Sequence, residues 1–436
     1  RFSLISASGQ VIDLKSLAVD FSVYQDLFEH FIQCDLVLND SVGLINTLNG
    51  DKDSNIQGGF TGGEILVVSY KSNDDALEYK NHFFALYELT DRKRIEERSE
   101  VYFLSGVSIE AYPAMSNKIS RAYGGKGGNL ISKMASSIIN EFVYTDSVKA
   151  LHRNYKGTVG IRLIKKIDVD ETVGLQNYII PNLTVDDTLD FLASEADSQD
   201  HIPYFMFYEN SEGFNFKNLS NLIKQEVKEE YSYLPSNMDE GKGSPSDENF
   251  DRTKLISFDV IKQSNVIDNI QQGLYRSKTI HLDILKKTKR EVIFNYDDYA
   301  PKFTKLQPFK INGSLDTSPV VRMVTSRKGH DVDALFIDES PNPTKSNEVM
   351  GQSASYGQHI FNTVIEVSLP GDSELDVGNI IRLSIPSAAT SADQDGDEDK
   401  YLSGKYIITK LRHIMLDGTD SFTTILECAK DTGTKL

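Results

Sequence analysis

A mainly β chain with α+β portions is what the sequence predicts, and three observations predict it. Phe and Tyr are plentiful, at 22 and 20 of the 436 residues, and both favour strands. Run after run alternates apolar and polar residues, as half-buried strands do. Only three stretches carry a helical pattern, one of them short. At roughly 150 residues per domain, the length allows about three domains.

The first 112 residues read as strands with one short helix. "DFSVYQDLF" and "IQCDLVLND" alternate, and the second puts Cys34, Leu36 and Leu38 on one face. "SVGLINTLN" follows as the helix, with Ser41 as its expected N-cap and Val42, Ile45 and Leu48 along one side. Three more strand runs come next: "GGEILVVSYKS", "KNHFFALYEL" and "EVYFLSGVSIEAYP". The charged stretch Thr90 to Glu100 reads as a solvated connection, and Pro113 closes the block.

From Asn117 to Asn140 the pattern turns helical, with Leu130, Met134 and Ile138 four apart. "TVDDTLDFLASEA" is a second helix, with Thr184 as N-cap and Asp187 three residues on. "IPYFMFYENSEGFNF" predicts a hairpin turning at Ser211-Glu212-Gly213. Residues 237–251 are polar and rich in turn formers, a linker by composition. Strand runs return in "KLISFDVIKQSN" and "LYRSKTIHLDILKKTKREVIFNY". Residues 299–354 are less regular. "HIFNTVIEVSLPG" then alternates cleanly, "VGNIIRLSIPS" follows, and the last two strands meet at Asp417-Gly418, a hairpin signal. Element by element, residues 1–112 and the split set 252–298 plus 355–431 look alike in kind.

Charge and cysteine use exclude several functions. Asp plus Glu outnumber Lys plus Arg by 64 to 46, a net of −18, where nucleic-acid binding normally shows a basic footprint. Cys34 and Cys428 are too few for a metal cluster or disulfide framework, and each sits in a strand run as a small apolar residue. No run approaches the 18 or so apolar residues of a membrane helix. The first residues lack signal-peptide architecture. A soluble intracellular protein, or part of a particle assembled there, is the expectation.

The motif search finds no chemistry to assign. "SRAYGGKGGNLIS" surrounds Lys126 with glycines, but a phosphate loop needs Ser or Thr after its lysine, and Gly127 stands there. The expected reading is a flexible joint with Asn129 capping the next helix. "DQDGDEDK", from Asp393, resembles a calcium loop, yet its Gly396 is fourth where an EF-hand needs its glycine sixth. It reads as a solvated hairpin tip, with weak cation binding by Asp393 to Asp399 left open. "GQSAS", from Gly351, misses the last glycine of a nucleophile elbow. The eight histidines show no zinc-ligand spacing. No catalytic, cofactor-binding or metal residue is assigned, and no enzyme activity is expected.

"GLYRSKTIHLDILKKTKREVIFNYDDY" (Gly273 to Tyr299) resembles a segment of the baseplate hub proteins of contractile-tailed phages, the T-even type. So do "SRAYGGKGGNLISKMASSII", "FMFYENSEGFNFKNLSNLI" and the closing "GKYIITKLRHIMLDGTDSFTTILECAKDT". The likeness in layout covers nearly the whole chain. It implies two tail-tube-like β-barrel domains in one chain, residues 1–112 and 251–298 plus 355–436. Residues 113–250 would form an α+β spike-side domain, joined by the insertion 299–354. The glycine stretch would be a hinge between the first tube-like domain and the spike-side domain.

The implied function is a structural hub in the tail baseplate of a virion, assembled in the host cytoplasm. A homotrimer would adapt a hexameric tail tube to a trimeric central spike and leave a channel for DNA. Its partners would be the central spike protein, a tube or tube-initiator protein and a tape measure protein. DNA would pass unbound, and the acidic balance fits that passage. The alternatives are a tail-associated hydrolase or glycan-binding β protein, and the hub of a type VI secretion spike or R-type bacteriocin. Those spike proteins usually continue into β-helix repeats, and none is visible here.

Overall fold

The structure, a computed structural model, describes residues 1–48, 59–72, 77–124, 128–159, 164–233, 252–283, 287–306, 319–325, 346–387, 398–416 and 421–431. The first block holds seven strands: β1 (Phe2–Ile5), β2 (Val11–Asp13), β3 (Ala18–Asp26), β4 (Gln33–Asp40), β5 (Ile65–Tyr70), β6 (Lys80–Glu96) and β7 (Ser99–Ser108). A mixed region follows with β8 (Lys118–Tyr123), β9 (Asn129–Leu130), β10 (Lys166–Val169), β11 (Leu175–Gln176), β12 (Tyr178–Thr184), β13 (Phe205–Asn210) and β14 (Gly213–Asn218). The remaining strands are β15 (Val227–Ser232), β16 (Ser257–Lys262), β17 (Arg276–Asp283), β18 (Thr288–Asn295), β19 (Val320–Thr325), β20 (Thr363–Pro370), β21 (Ile380–Ser384), β22 (Gly404–Leu416) and β23 (Ser421–Lys430).

Thirteen strands join in one sheet, ordered β16-β20-β23-β22-β3-β4-β7-β6-β5-β1-β2, with β21 on β22 and β15 on β21. The mainly β expectation holds. What the sequence does not show is that the two blocks are welded edge to edge, through β3 and β22. Smaller sheets β10-β14-β13 and β18-β17-β19 stand apart. The second block therefore takes only β16 from residues 251–298. The hairpin β17–β18 pairs instead with β19, in parallel along Ser277–Leu282 and Val320–Thr325, so the insertion starts before residue 276 rather than at 299. The helix Ser346–Ile360 runs across residue 354.

Burial explains why the strands stay in place. On β6, Phe84 and Leu86 face a core shared with Phe21, Leu36 and Tyr102. Phe83 and Ala85, on the opposite face, pack against Met134, Leu189 and Phe214 of the mixed region. Strand side chains alternate between faces, so a run of five buried residues, His82 to Leu86, needs both faces covered. Each large apolar side chain buried this way is worth roughly 1.5–3 kcal/mol. A third core joins Ile365, Tyr406 and Cys428 to Tyr208, Leu222, Phe303 and Tyr356.

Several local expectations are met and several are corrected. Thr184 caps the helix Val185–Glu195 by accepting from the Asp187 N–H, and Asn210 pairs with Gly213 across the Ser211-Glu212 turn. Ser41 is not a cap. The short helix Leu44–Thr47 follows Gly43 in left-handed geometry, and the Asp40 carboxylate accepts from the Val42 and Ile45 N–H groups. Thr90 to Glu96 belongs to β6, and Pro113 lies in the helix Ala111–Ser116, where its missing N–H costs nothing in the first turn. The helical stretch from Asn117 starts only at Ile131, because Lys118–Tyr123 is a strand paired with β12. Asn129 does not cap that helix. Its Oδ1 accepts from the adjacent Leu130 N–H, and Leu130 holds the cap position.

Candidate assembly interface

The seam between the blocks is a regular antiparallel ladder. Asp20 pairs with Leu416, Ser22 with Ile414, Tyr24 with Arg412 and Asp26 with Lys410. Arg412 donates to Ser22 Oγ (3.1 Å) and lies over the Tyr24 ring at 5.2 Å. Gln25 fixes the register from inside. Its Nε2 donates to Asp376 Oδ1 (2.9 Å) and Ser211 Oγ (2.9 Å), and its Oε1 accepts from the Val377 N–H (3.2 Å). Burial pushes the Asp376 carboxyl above its ordinary value. Further along, Ser72 and Ser373 exchange bonds of 2.7 and 3.0 Å. Tyr70 packs against His82, His413 and Phe422 with ring centres 5.5 to 6.0 Å apart.

The two blocks repeat one strand order. From one side they read β3-β4-β7-β6 with β5 on β6, and β16-β20-β23-β22 with β21 on β22. The register repeats as well. One rung crosses Val23, Cys34, Gly106 and Leu86, and its counterpart crosses Val260, Ile365, Cys428 and Ile408. A register break follows Leu86 in one block and Ile408 in the other, at the same rung. Beside it, β5 covers Lys80–Ala85 of β6, as β21 covers Gly404–Ile407 of β22.

The blocks differ in what covers the distal halves. On β22, Lys410–Leu416 is closed by β3. On β6, the matching half from Glu88 to Glu96 pairs with β7 on one side, but no described strand lies along its other edge, and it is exposed except for a half-buried Leu89. The outer edge of β16 is likewise unpaired among the described residues. Apolar side chains stand exposed on or beside it: Ile256 at 59% and Ile261 at 56%.

The first block is held to the mixed region by a buried ionic cluster. Lys165 Nζ donates to Glu110 Oε2 (2.7 Å), to Ser108 Oγ (2.9 Å) and to Glu209 Oε1. Glu209 Oε2 accepts from the Ile32 N–H at 3.2 Å. His152 Nε2 lies 3.4 Å from Glu110 Oε1. Burial alone would discharge Lys165, but Glu110 and Glu209 hold its ammonium above the ordinary lysine value. Burial pushes His152 down to about 4, so the imidazole is neutral at pH 7. This buried cation between two carboxylates joins strand β7's end, the segment before β10 and strand β13. Among the described residues, no group of three His, Cys, Asp or Glu could hold a metal.

The sequence motifs scatter around this frame. Gly124 (φ +128°) and Gly128 (φ +74°) flank residues outside the described set, Lys126 among them. A side chain at Gly124 would run into Asn177. Both flanks are pinned, β8 to β12 and β9 to β11, so Gly124 and Gly128 each adjoin a paired strand of the mixed region. Asp393 to Gly396 fall outside the described residues, as do residues 237–251 and Asp417-Gly418. Asp399 is described and accepts from the Tyr401 and Leu402 N–H groups. Gly351 and Ser353 lie in a helix, not at an elbow. Cys34 and Cys428 are buried free thiols.

No protein-family model matches the chain, and no curated protein matches it by sequence. Solved structures do match. A tail protein from Neisseria meningitidis MC58 superposes with a TM-score of 0.51 at 10% identity, covering 99% of this chain and 96% of its own. The 43 kDa tail protein of prophage MuSo2 from Shewanella oneidensis gives a TM-score of 0.51 at 10% identity, covering 98% and 97%. At such identity the likeness is one of fold. Over nearly its whole length, this chain has the fold of these two tail proteins.

Proposed function

We propose that the chain is a structural adapter in the baseplate of a contractile tail, without enzymatic activity. Three copies would form a ring carrying six near-equivalent sheet blocks. One face would meet a hexameric tube or its initiator protein, and the other a trimeric central spike. A tape measure protein and, later, DNA would occupy the channel. The observation that carries this reading is the repeated strand order, matched rung by rung and broken at the same rung. Two like blocks in one chain turn a threefold ring into six similar positions, a direct solution to a six-to-three mismatch. The net charge of −18 is consistent with a channel that repels the polyanion passing through it. By this reading residues 1–112 form the first tube-like block, and β16 with residues 361–431 form the second. The mixed region and the 273–360 segment face the spike.

Electron microscopy of the purified chain, alone and mixed with a trimeric spike protein, tests the proposal. Ring-shaped averages with three long-range repeats and six near-equal lobes are expected. Particles of any other symmetry would overturn it.

A further inference from the structure

We infer that the distal half of β6 is an interface strand that takes β16 of a second copy, and that this strand pairing joins the ring. The inference rests on the ring reading above and adds the surface and its register. The chain itself supplies the template. Its seam joins β22 to β3, and in the repeat β22 corresponds to β6 and β3 to β16. The seam missing from a single copy is therefore β6 with β16, and these are the two unpaired edges described above.

The register follows from equivalent rungs. Within the chain, Ser22 faces Ile414. Ser22 sits across from Asp35 as Asp259 does from Glu366. Ile414 sits across from Thr423 as Lys93 does from Val101. The transposed pair is Asp259 of one copy with Lys93 of the next. At the ends, Asp20 with Leu416 transposes to Ser257 with Glu96.

Chemistry agrees with that register. Asp259 meets the basic run Arg92-Lys93-Arg94, and the Lys93 side chain is 75% exposed with only a 3.9 Å contact to Asp91. Exposed Ile95 on β6 and exposed Ile256 and Ile261 beside or on β16 offer apolar area to both sides. An open edge pairs readily with another chain, and strand addition takes its affinity from main-chain hydrogen bonds and its specificity from side chains. Because the two edges differ, the contact is head-to-tail and closes a ring when the rotation allows.

Paired cysteines test the register. In the full chain carrying Lys93→Cys and Asp259→Cys, mild oxidation should give a reductant-sensitive covalent trimer as the main product, and neither single variant should. The native Cys34 and Cys428, at 1% and 0% exposure, stay out of the reaction. Asp259→Lys should shift native mass spectra from trimer towards monomer, and adding Lys93→Asp should restore the trimer. A wild-type trimer with no crosslink and no response to charge reversal would overturn the seam and leave the ring standing. A wild-type chain that stays monomeric, alone and with a spike protein, would overturn both.

Discussion

β22 and β6 are the same strand in two settings. Each begins under a short partner, breaks register at the same rung and runs on into a hairpin. Past the break, "KLRHIML" is mostly buried or half-buried under β3, while "ELTDRKRIE" is mostly exposed. The letters follow the setting. A covered edge takes Leu411 and His413, whereas an exposed edge takes charges, which discourage pairing with the wrong chain. A repeated fold does not demand a repeated sequence. Strand order and register are kept by the ladder, and each side chain answers to its own neighbours.

The largest way to break the comparison is acid. His413 lies on the covered half of β22, and His82 lies on the proximal half of β6. Burial, with nearby cations adding to it, pushes both down to about 3 from an ordinary 6.5. Each folded pKa lies below the unfolded one, so the unfolded chain binds the proton first. The stability is present above about pH 6.5 and lost as pH falls towards 3. Each histidine should cost about 1.4 kcal/mol per pH unit in that window. Urea unfolding from pH 7 to pH 5 should show that fall, and His413→Gln should remove one histidine's share of it, leaving the shares of His82 and His152. A stability curve flat through this range would mean the imidazoles are solvated and the seam is loose.

A smaller effect separates the strands directly. Leu411 is 2% exposed, and its counterpart Leu89 is half-buried on the open edge. Leu411→Ala should cost about 2–5 kcal/mol. Leu89→Ala should stay below about 1 kcal/mol in a monomeric preparation and cost more once copies associate. Equal losses in both states would show that the β6 edge never changes its surroundings.

What was legible follows from range. The Thr184 cap, the 211–212 turn and the alternation of Thr363 to Leu369 depend on residues within a few positions, and the sequence carries them. The strand Lys118–Tyr123 was hidden because its partner, β12, lies over fifty residues on and its letters are mixed. Lys165, in "IKKID", has no local mark of burial. Its burial is set by Glu110 and Glu209, 55 and 44 residues away. The seam was hidden for the same reason on a larger scale, since Ser22 and Arg412 are 390 residues apart. The open edge of β6 was read as a connection because charge marks solvent exposure without saying whether the backbone is extended.

The smallest test sharpens the repeat at one rung. Gly106 and Cys428 are equivalent positions, yet one has no side chain. The reason is the neighbour across the ladder. A Cβ on Gly106 would stand 2.9 Å from Cys34 Sγ, 3.1 Å from Leu86 Cδ2 and 3.2 Å from Phe84 Cβ, so the Cys34 thiol already fills the space. In the second block the counterpart of Cys34 is Ile365, and the room is shared differently. Gly106→Ala should overpack this rung and cost about 1–3 kcal/mol. Cys34→Ala alone leaves a small void, while the two changes together should recover most of the loss, because the methyl takes the volume the sulfur leaves. Neighbouring residues are where such non-additivity is expected. Thermal unfolding of the four proteins measures it. Additive losses would mean that Gly106 is required by the backbone and not by Cys34, and the rung-by-rung equivalence would then fail where it is most closely packed.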